Sequence, residues 1–220
     1  MNRAILINLI LCLLLMGISA GKEIDPVKKT CTETCGDVVA EPKIRPTSNN
    51  KNKSRFLKKK RKNSQGYYRC HYGIDILAAK GTKLKNLVAG KVVSVRKSFK
   101  PGECKSNSFG NYVVVKSKGG KFIKYAHLDK VSVKENDQLK VGDEIGEAGN
   151  TGNACKMSTA EIHVHIEVAT DVRFRDSSKS CKNDAKSQCD PETDCCDCSP
   201  YRIDPEDFMK TKYDKDGNPN

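Results

Sequence analysis

Histidine is scarce in this chain: there are four in 220 residues. None lies outside three short motifs, which excludes a scatter of surface imidazoles and points to chemistry. Neutral imidazole is the commonest metal ligand and the usual proton shuttle near neutral pH. Long apolar runs are missing as well. The stretch from Ile5 to Met16 is shorter than the roughly 18 residues a membrane span needs, which argues against an anchor. It reads instead as a secretory signal over residues 1–20, with Arg3 as the positive n-region and Ile18-Ser19-Ala20 ending in a small residue. Bulky Leu11 before Cys12 argues against a lipoprotein. Between residues 67 and 170 no amphipathic helix of ten or more residues can be drawn, which leaves a β reading.

Cysteine, by contrast, is plentiful. Of 11 cysteines, Cys12 leaves with the signal, so 11 − 1 = 10 remain. An even set of this size fits an oxidising, extracellular setting. Cys31 and Cys35 precede a basic stretch and eight cysteines follow it, so each group can pair internally. The formal charge of +13 becomes 13 − 1 = +12 once Arg3 is removed. Such a surface favours anionic partners such as wall polymers, acidic glycans or anionic lipids, with nucleic acid the least favoured in a secreted protein.

Composition divides the chain. Residues 21–66 are polar and expected to be poorly folded: a basic linker or pro-segment, with eight Lys or Arg between Lys51 and Lys62 and a processing signal at Lys59-Lys60-Arg61. Residues 67–175 alternate short β-type runs with glycine. Asn111 to Lys116 and Lys121 to Leu128 read as a hairpin about Gly119-Gly120. An all-β domain is expected there. Residues 176–199 hold five cysteines and almost no aliphatic side chains, so they read as a stapled insertion. Residues 200–220 regain order at Tyr201 to Pro205 and Phe208-Met209.

In Glu161 to Val168, apolar Ile162, Val164, Ile166 and Val168 alternate with Glu161, His163, His165 and Glu167. Period-2 spacing puts both histidines on one face, with Cα atoms about 6.6 Å apart. His71 and Asp75 would sit about 13 Å apart on a straight strand, and Gly73 between them permits a bend. With one histidine of His163-Val164-His165 they make three ligands, leaving a fourth position for water as catalytic zinc requires. His127, after the run Lys121 to Ala126, is then available to take a proton or stabilise an oxyanion.

His71 to Asp75 (H-Y-G-I-D), Tyr125 to Leu128 (Y-A-H-L), Gly149 to Gly152 (G-N-T-G) and His163 to Glu167 (H-V-H-I-E) together resemble the lysostaphin and LytM type zinc endopeptidases. The resemblance runs from about Gly66 to Val168 and resumes at Arg202 to Phe208. It implies zinc held by His71, Asp75 and His165, with His127 and His163 as the catalytic pair. It implies a single, mostly antiparallel β domain of the duplicated hybrid-motif type, with the site in a narrow groove. The substrate it implies is bacterial cell-wall peptidoglycan, cut at a peptide bond by a secreted protein expected to act as a monomer. In that family a tyrosine upstream of the first ligand assists, and Tyr67 and Tyr68 are the candidates here. The loop from Asn153 to Ile162 is longer than many members have, and a Cys104–Cys155 disulfide is expected to tie the groove walls together.

A non-catalytic alternative also exists. The leukocyte-derived chemotaxins are similar to this family, keep the zinc ligands, and are faintly matched at Thr30 to Gly36. They lack the histidine that His127 supplies. Inactive regulators of wall hydrolases lose ligands, whereas every motif position is filled here.

Overall fold

The computed structural model describes residues 34–46, 54–56, 59–62, 68–174 and 201–220. The signal region, Tyr67 and the cysteine-rich segment 176–199 lie outside the described residues. What is described is almost wholly antiparallel β structure. Strands β1 (Lys59–Lys62) and β2 (Tyr68–Cys70) form a two-stranded ribbon. The remaining strands make one nine-stranded sheet. They are β3 (Ile74–Leu77), β4 (Lys83–Lys85), β5 (Gly90–Arg96), β6 (Asn111–Ser117), β7 (Phe122–Val131), β8 (Gln138–Leu139), β9 (Glu144–Ala148), β10 (His163–Ala169) and β11 (Arg202–Ile203). Along its main path the order is β11-β10-β7-β6-β5-β8, with β3 on β10 and β9 joining β4 to β7.

The expected hairpin is present. β6 and β7 pair antiparallel, and Gly120 takes the left-handed φ of +79° that their turn requires. Alternation then sorts the side chains. Val113, Val115, Ile123, Tyr125, Val164, Ile166 and Val168 enter a single core with Ile74, Ile76, Leu84, Leu87, Leu128 and Ile145. Fully burying one such aliphatic side chain contributes roughly 1.5–3 kcal/mol. β10 pairs with β3, β7 and β11, and all its residues are buried. Its polar face, carrying His163, His165 and Glu167, is therefore enclosed rather than turned to water, and this is the face that holds the site.

The expectation that residues 21–66 are poorly folded does not hold for 34–46. Val38, Val39 and Ile44 join the core, and isolated bridges link Cys35 to Val88 and Ile44 to Ile76. Their apolar contacts outweigh the polar composition around them. At the other end, β11 docks on β10 and Asp204 caps a 3-10 turn over Pro205–Phe208, accepting from the Glu206 N–H at 3.0 Å. Phe208 and Met209 are buried, where the sequence suggested a return of order. The Cys104–Cys155 disulfide is present, and it flanks a parallel bridge between Cys104 and Gly152. Cys35 and Cys70 are also disulfide-bonded. The suggested internal pairing of Cys31 with Cys35 involves a residue outside the described set.

Candidate metal centre

The register of β3 on β10 sets Asp75 directly opposite His165, and His71 lies just before β3. The three side chains converge. His71 Nε2 is 3.0 Å from Asp75 Oδ1, His165 Nδ1 is 2.7 Å from the same oxygen, and the two ring nitrogens are 3.1 Å apart. Zinc bonds of about 2.0–2.1 Å in a tetrahedron imply donor separations of roughly 3.3 Å. The triangle is close to that size, and its two imidazoles and one carboxylate suit zinc. The residues present fit the ion.

Gly73 lies at a bend, as expected, and serves this convergence in a second way. A Cβ there would lie 2.3 Å from the Ile166 carbonyl oxygen and 2.7 Å from His165 Cε1. Only glycine lets this backbone approach β10 so closely.

Each ligand is oriented from behind. His71 Nδ1 faces the Arg55 carbonyl at 3.0 Å; a carbonyl only accepts, so Nδ1 carries the proton and Nε2 presents its lone pair. His165 Nε2 donates to Glu167 Oε1 at 3.2 Å, turning Nδ1 toward the triangle. Glu167 Oε2 is in turn held by Lys124 Nζ at 3.0 Å and Arg202 Nη1 at 2.9 Å. Burial pushes the Glu167 pKa up, but His165, Lys124 and Arg202 outweigh it, so the carboxyl lies well below its usual range. Burial likewise pulls the His165 pKa down, yet hydrogen bonds to Asp75 and Glu167 raise it above the ordinary value when no metal is bound. Arg45 holds the far side of Asp75, donating to Oδ2 from Nη2 at 3.0 Å and Nε at 3.3 Å.

His127 and His163 stand beside the triangle and belong to no ligand pair. Their ring centroids are 5.4 Å apart, and His127 lies 5.9 Å from His165. His127 Nδ1 donates to the Thr151 carbonyl at 3.0 Å and His163 Nδ1 to the Glu161 carbonyl at 2.9 Å. Their Nε2 atoms are thereby left for the site, and that of His163 is 3.7 Å from Asp75 Oδ1. Burial is the leading cause that lowers both pKa values. His127 falls well below its usual value, with His163 and His165 adding to the effect. His163 falls to about 4, because burial and Arg45 outweigh the pull of Asp75. Both rings are therefore neutral at pH 7.

His127 also departs from regular strand geometry. Its φ is +66°, and the β6–β7 register slips between Ala126 and Leu128, so it sits on a bulge. Left-handed φ is uncommon for a residue other than glycine and clusters at functional positions. The Phe109 carbonyl accepts its backbone N–H at 3.0 Å.

All five residues expected from the sequence meet here. Sequence reasoning missed Arg45, Arg55, Phe109 and Thr151. Phe109 stacks on His165 at 5.6 Å between centroids. Thr151, fully buried, donates from its hydroxyl to the Leu128 carbonyl at 2.9 Å and accepts from the Asn111 N–H at 2.9 Å. Glu167 could be read, because it shares the parity of His163 and His165. Tyr67 and the Tyr68 side chain lie outside what is described.

A family model described as Peptidase family M23 matches residues 69–177. An uncharacterized metalloprotease of Buchnera aphidicola is 33% identical over 117 residues, covering 53% of this chain and 26% of that protein. Murein hydrolase activator NlpD of Escherichia coli is 28% identical over 96 residues, covering 44% of this chain and 22% of the relative. The chain therefore spans about a quarter of the length of these relatives. Among solved structures, the catalytic domain of the antimicrobial peptidase lysostaphin from Staphylococcus simulans is 30% identical. That alignment covers 52% of this chain and 75% of that one, with a TM-score of 0.40.

Proposed function

This chain belongs to peptidase family M23, and on that footing we propose that it is a secreted zinc endopeptidase that hydrolyses peptide bonds in bacterial peptidoglycan. The carrying observation is the buried triangle of His71, Asp75 and His165 with two neutral imidazoles, His127 and His163, at its side. His71 Nε2, Asp75 Oδ1 and His165 Nδ1 would hold the metal. Zinc held there supplies Lewis acidity, making water a usable nucleophile at neutral pH and polarising a carbonyl.

The chain's own groups do the rest. His127 and His163 each have Nδ1–H held on a carbonyl, so each presents an unprotonated Nε2. His127 Nε2 would take up the proton lost by an attacking water, and the neighbouring His163 Nε2 would help to hold the reacting oxygen. Proton transfer of this kind contributes typically about 10²–10⁴-fold in rate. The basic surface fits a wall rich in anionic polymers. Among the described residues no helix is long and apolar enough to cross a membrane.

A second reading is an activator of wall hydrolases, favoured by the similarity to murein hydrolase activator NlpD. One experiment separates the two. Purified chain and its Asp75→Ala variant are assayed for zinc content and incubated with several purified peptidoglycans, and fragments are identified by mass spectrometry. The enzyme reading expects one zinc and new peptide ends from the unaltered chain alone, and neither from the variant. Digestion that occurs only when another hydrolase is added would establish the activator reading instead.

A further inference from the structure

We propose that Arg45, carried by a segment outside the M23 match, is a positioning residue of the metal centre. It fixes Asp75 as a ligand through one oxygen. The inference rests on the metal-site reading above and adds a part to it.

The family match begins at residue 69, whereas Arg45 lies well upstream in a region of linker-like composition. Its placement is nevertheless specified by backbone. The Arg45 N–H donates to the Asp75 carbonyl at 2.9 Å, the Leu77 N–H donates to the Lys43 carbonyl at 2.8 Å, and Ile44 bridges Ile76. Residues 43–45 thus run antiparallel along the edge of β3 that β10 leaves open. From there Arg45, only 6% exposed, meets Asp75, 1% exposed.

Two donors of the same guanidinium reach Oδ2, while Oδ1 lies 3.0 Å from His71 Nε2 and 2.7 Å from His165 Nδ1. A carboxylate with one oxygen tied in this way is not free to rotate and offer both oxygens to a metal. The third nitrogen, Nη1, lies 3.8 Å from Glu161 Oε1, and the Glu161 carbonyl holds His163. One side chain therefore stands behind both a ligand and the loop that orients a proton-handling histidine. The planar fork matters here, because a lysine ammonium would supply charge without the two-point fix.

This placement also bears on the pro-segment expectation. Arg45 approaches Asp75 from the side of Oδ2, away from the three donor atoms. Removal of residues 34–46 with a pro-segment would therefore take away the donor that holds Oδ2.

The test uses full-length chain and three variants: Arg45→Met, Arg45→Lys and Asp75→Ala. Zinc affinity is measured by chelator competition, the visible spectrum of the Co²⁺-loaded protein reports ligand geometry, and melting of metal-free protein checks folding. Loss of an outer-shell partner typically weakens metal binding roughly 10–100-fold. That loss and an altered cobalt spectrum are expected for Arg45→Met, with Arg45→Lys intermediate. Unchanged affinity and spectrum in both, while Asp75→Ala abolishes binding, would overturn the proposal and leave the metal site standing. Should Arg45→Met fail to fold, an unchanged Arg45→Lys overturns it alone. Full zinc binding by Asp75→Ala would remove the metal-site reading itself, and this proposal with it.

Discussion

The Nδ1–H of His127 donates to the Thr151 carbonyl at 3.0 Å, and this bond decides which ring nitrogen faces the metal triangle. The bond works with a backbone φ of +66° that swings the ring off the regular strand path. His127 lies outside the triangle of His71, Asp75 and His165, so the proposed role is separable from metal binding. His127→Ala is expected to keep its zinc while hydrolysis of peptidoglycan falls by roughly 10²–10⁴-fold. Metal analysis beside a turbidity assay checks this, and undiminished digestion would hand the proton to another group.

The turn that orients His127 is itself anchored. Gly152 donates to the Glu103 carbonyl at 2.8 Å and accepts from Lys105 N–H at 3.2 Å, and the Cys104–Cys155 disulfide closes the same two loops. A link spanning 51 residues stabilises a chain by about 4 kcal/mol in the loop-entropy model. Replacing both cysteines with serine should lower unfolding free energy by up to that amount. Activity should fall more than zinc affinity, because the Thr151 carbonyl holds His127, which lies outside the triangle. Denaturant unfolding with parallel zinc titration reads both quantities; an equal loss in the two would sink the distinction.

Local periodicity made much of this visible beforehand. Alternation through β10 put His163, His165 and Glu167 on one face, and the glycine pair placed the β6–β7 hairpin. What stayed hidden depends on tertiary pairing. Arg45 meets Asp75 only because Ile44 bridges Ile76, and nothing within a basic, polar stretch signals that contact except the apolar Val38, Val39 and Ile44. Arg55 acts on His71 through its backbone carbonyl, which no side-chain pattern can report. The bulge at His127 is equally silent, since the residue types around it are those of an ordinary strand.

Acid should destabilise the metal-free fold through His163. Its folded pKa is lowered from 6.5 to about 4, so between those values the unfolded chain binds a proton that the folded chain refuses. Stability therefore falls as pH drops through that window and levels off below it. At about 1.36 kcal/mol per unit, the site contributes on the order of 3 kcal/mol. His165 works in the opposite sense: its raised pKa adds stability at low pH that is lost as pH rises through the folded value. Urea unfolding of metal-free protein from pH 7 to 4 should show a flatter profile for His163→Asn than for the unaltered chain. Identical slopes would mean that this imidazole is not kept neutral by burial.

Gly73 is the position where a single carbon should do most damage at least chemical change. A Cβ there would sit 2.3 Å from the Ile166 carbonyl oxygen, a backbone atom of the central strand that cannot turn aside, and 2.9 Å from His165 Nε2. Gly73→Ala must therefore push β3 off β10 or tilt the His165 ring away from Glu167. Overpacking of this kind typically costs about 1–3 kcal/mol, and here the displaced group is a proposed metal ligand. The variant is expected to melt earlier than the unaltered chain and to bind zinc more weakly, even though no ligand has been changed. Thermal unfolding without metal and chelator competition with it separate the two effects. If both values matched those of the unaltered chain, the glycine would not be required for close approach, and the bend at which it lies would be its whole role.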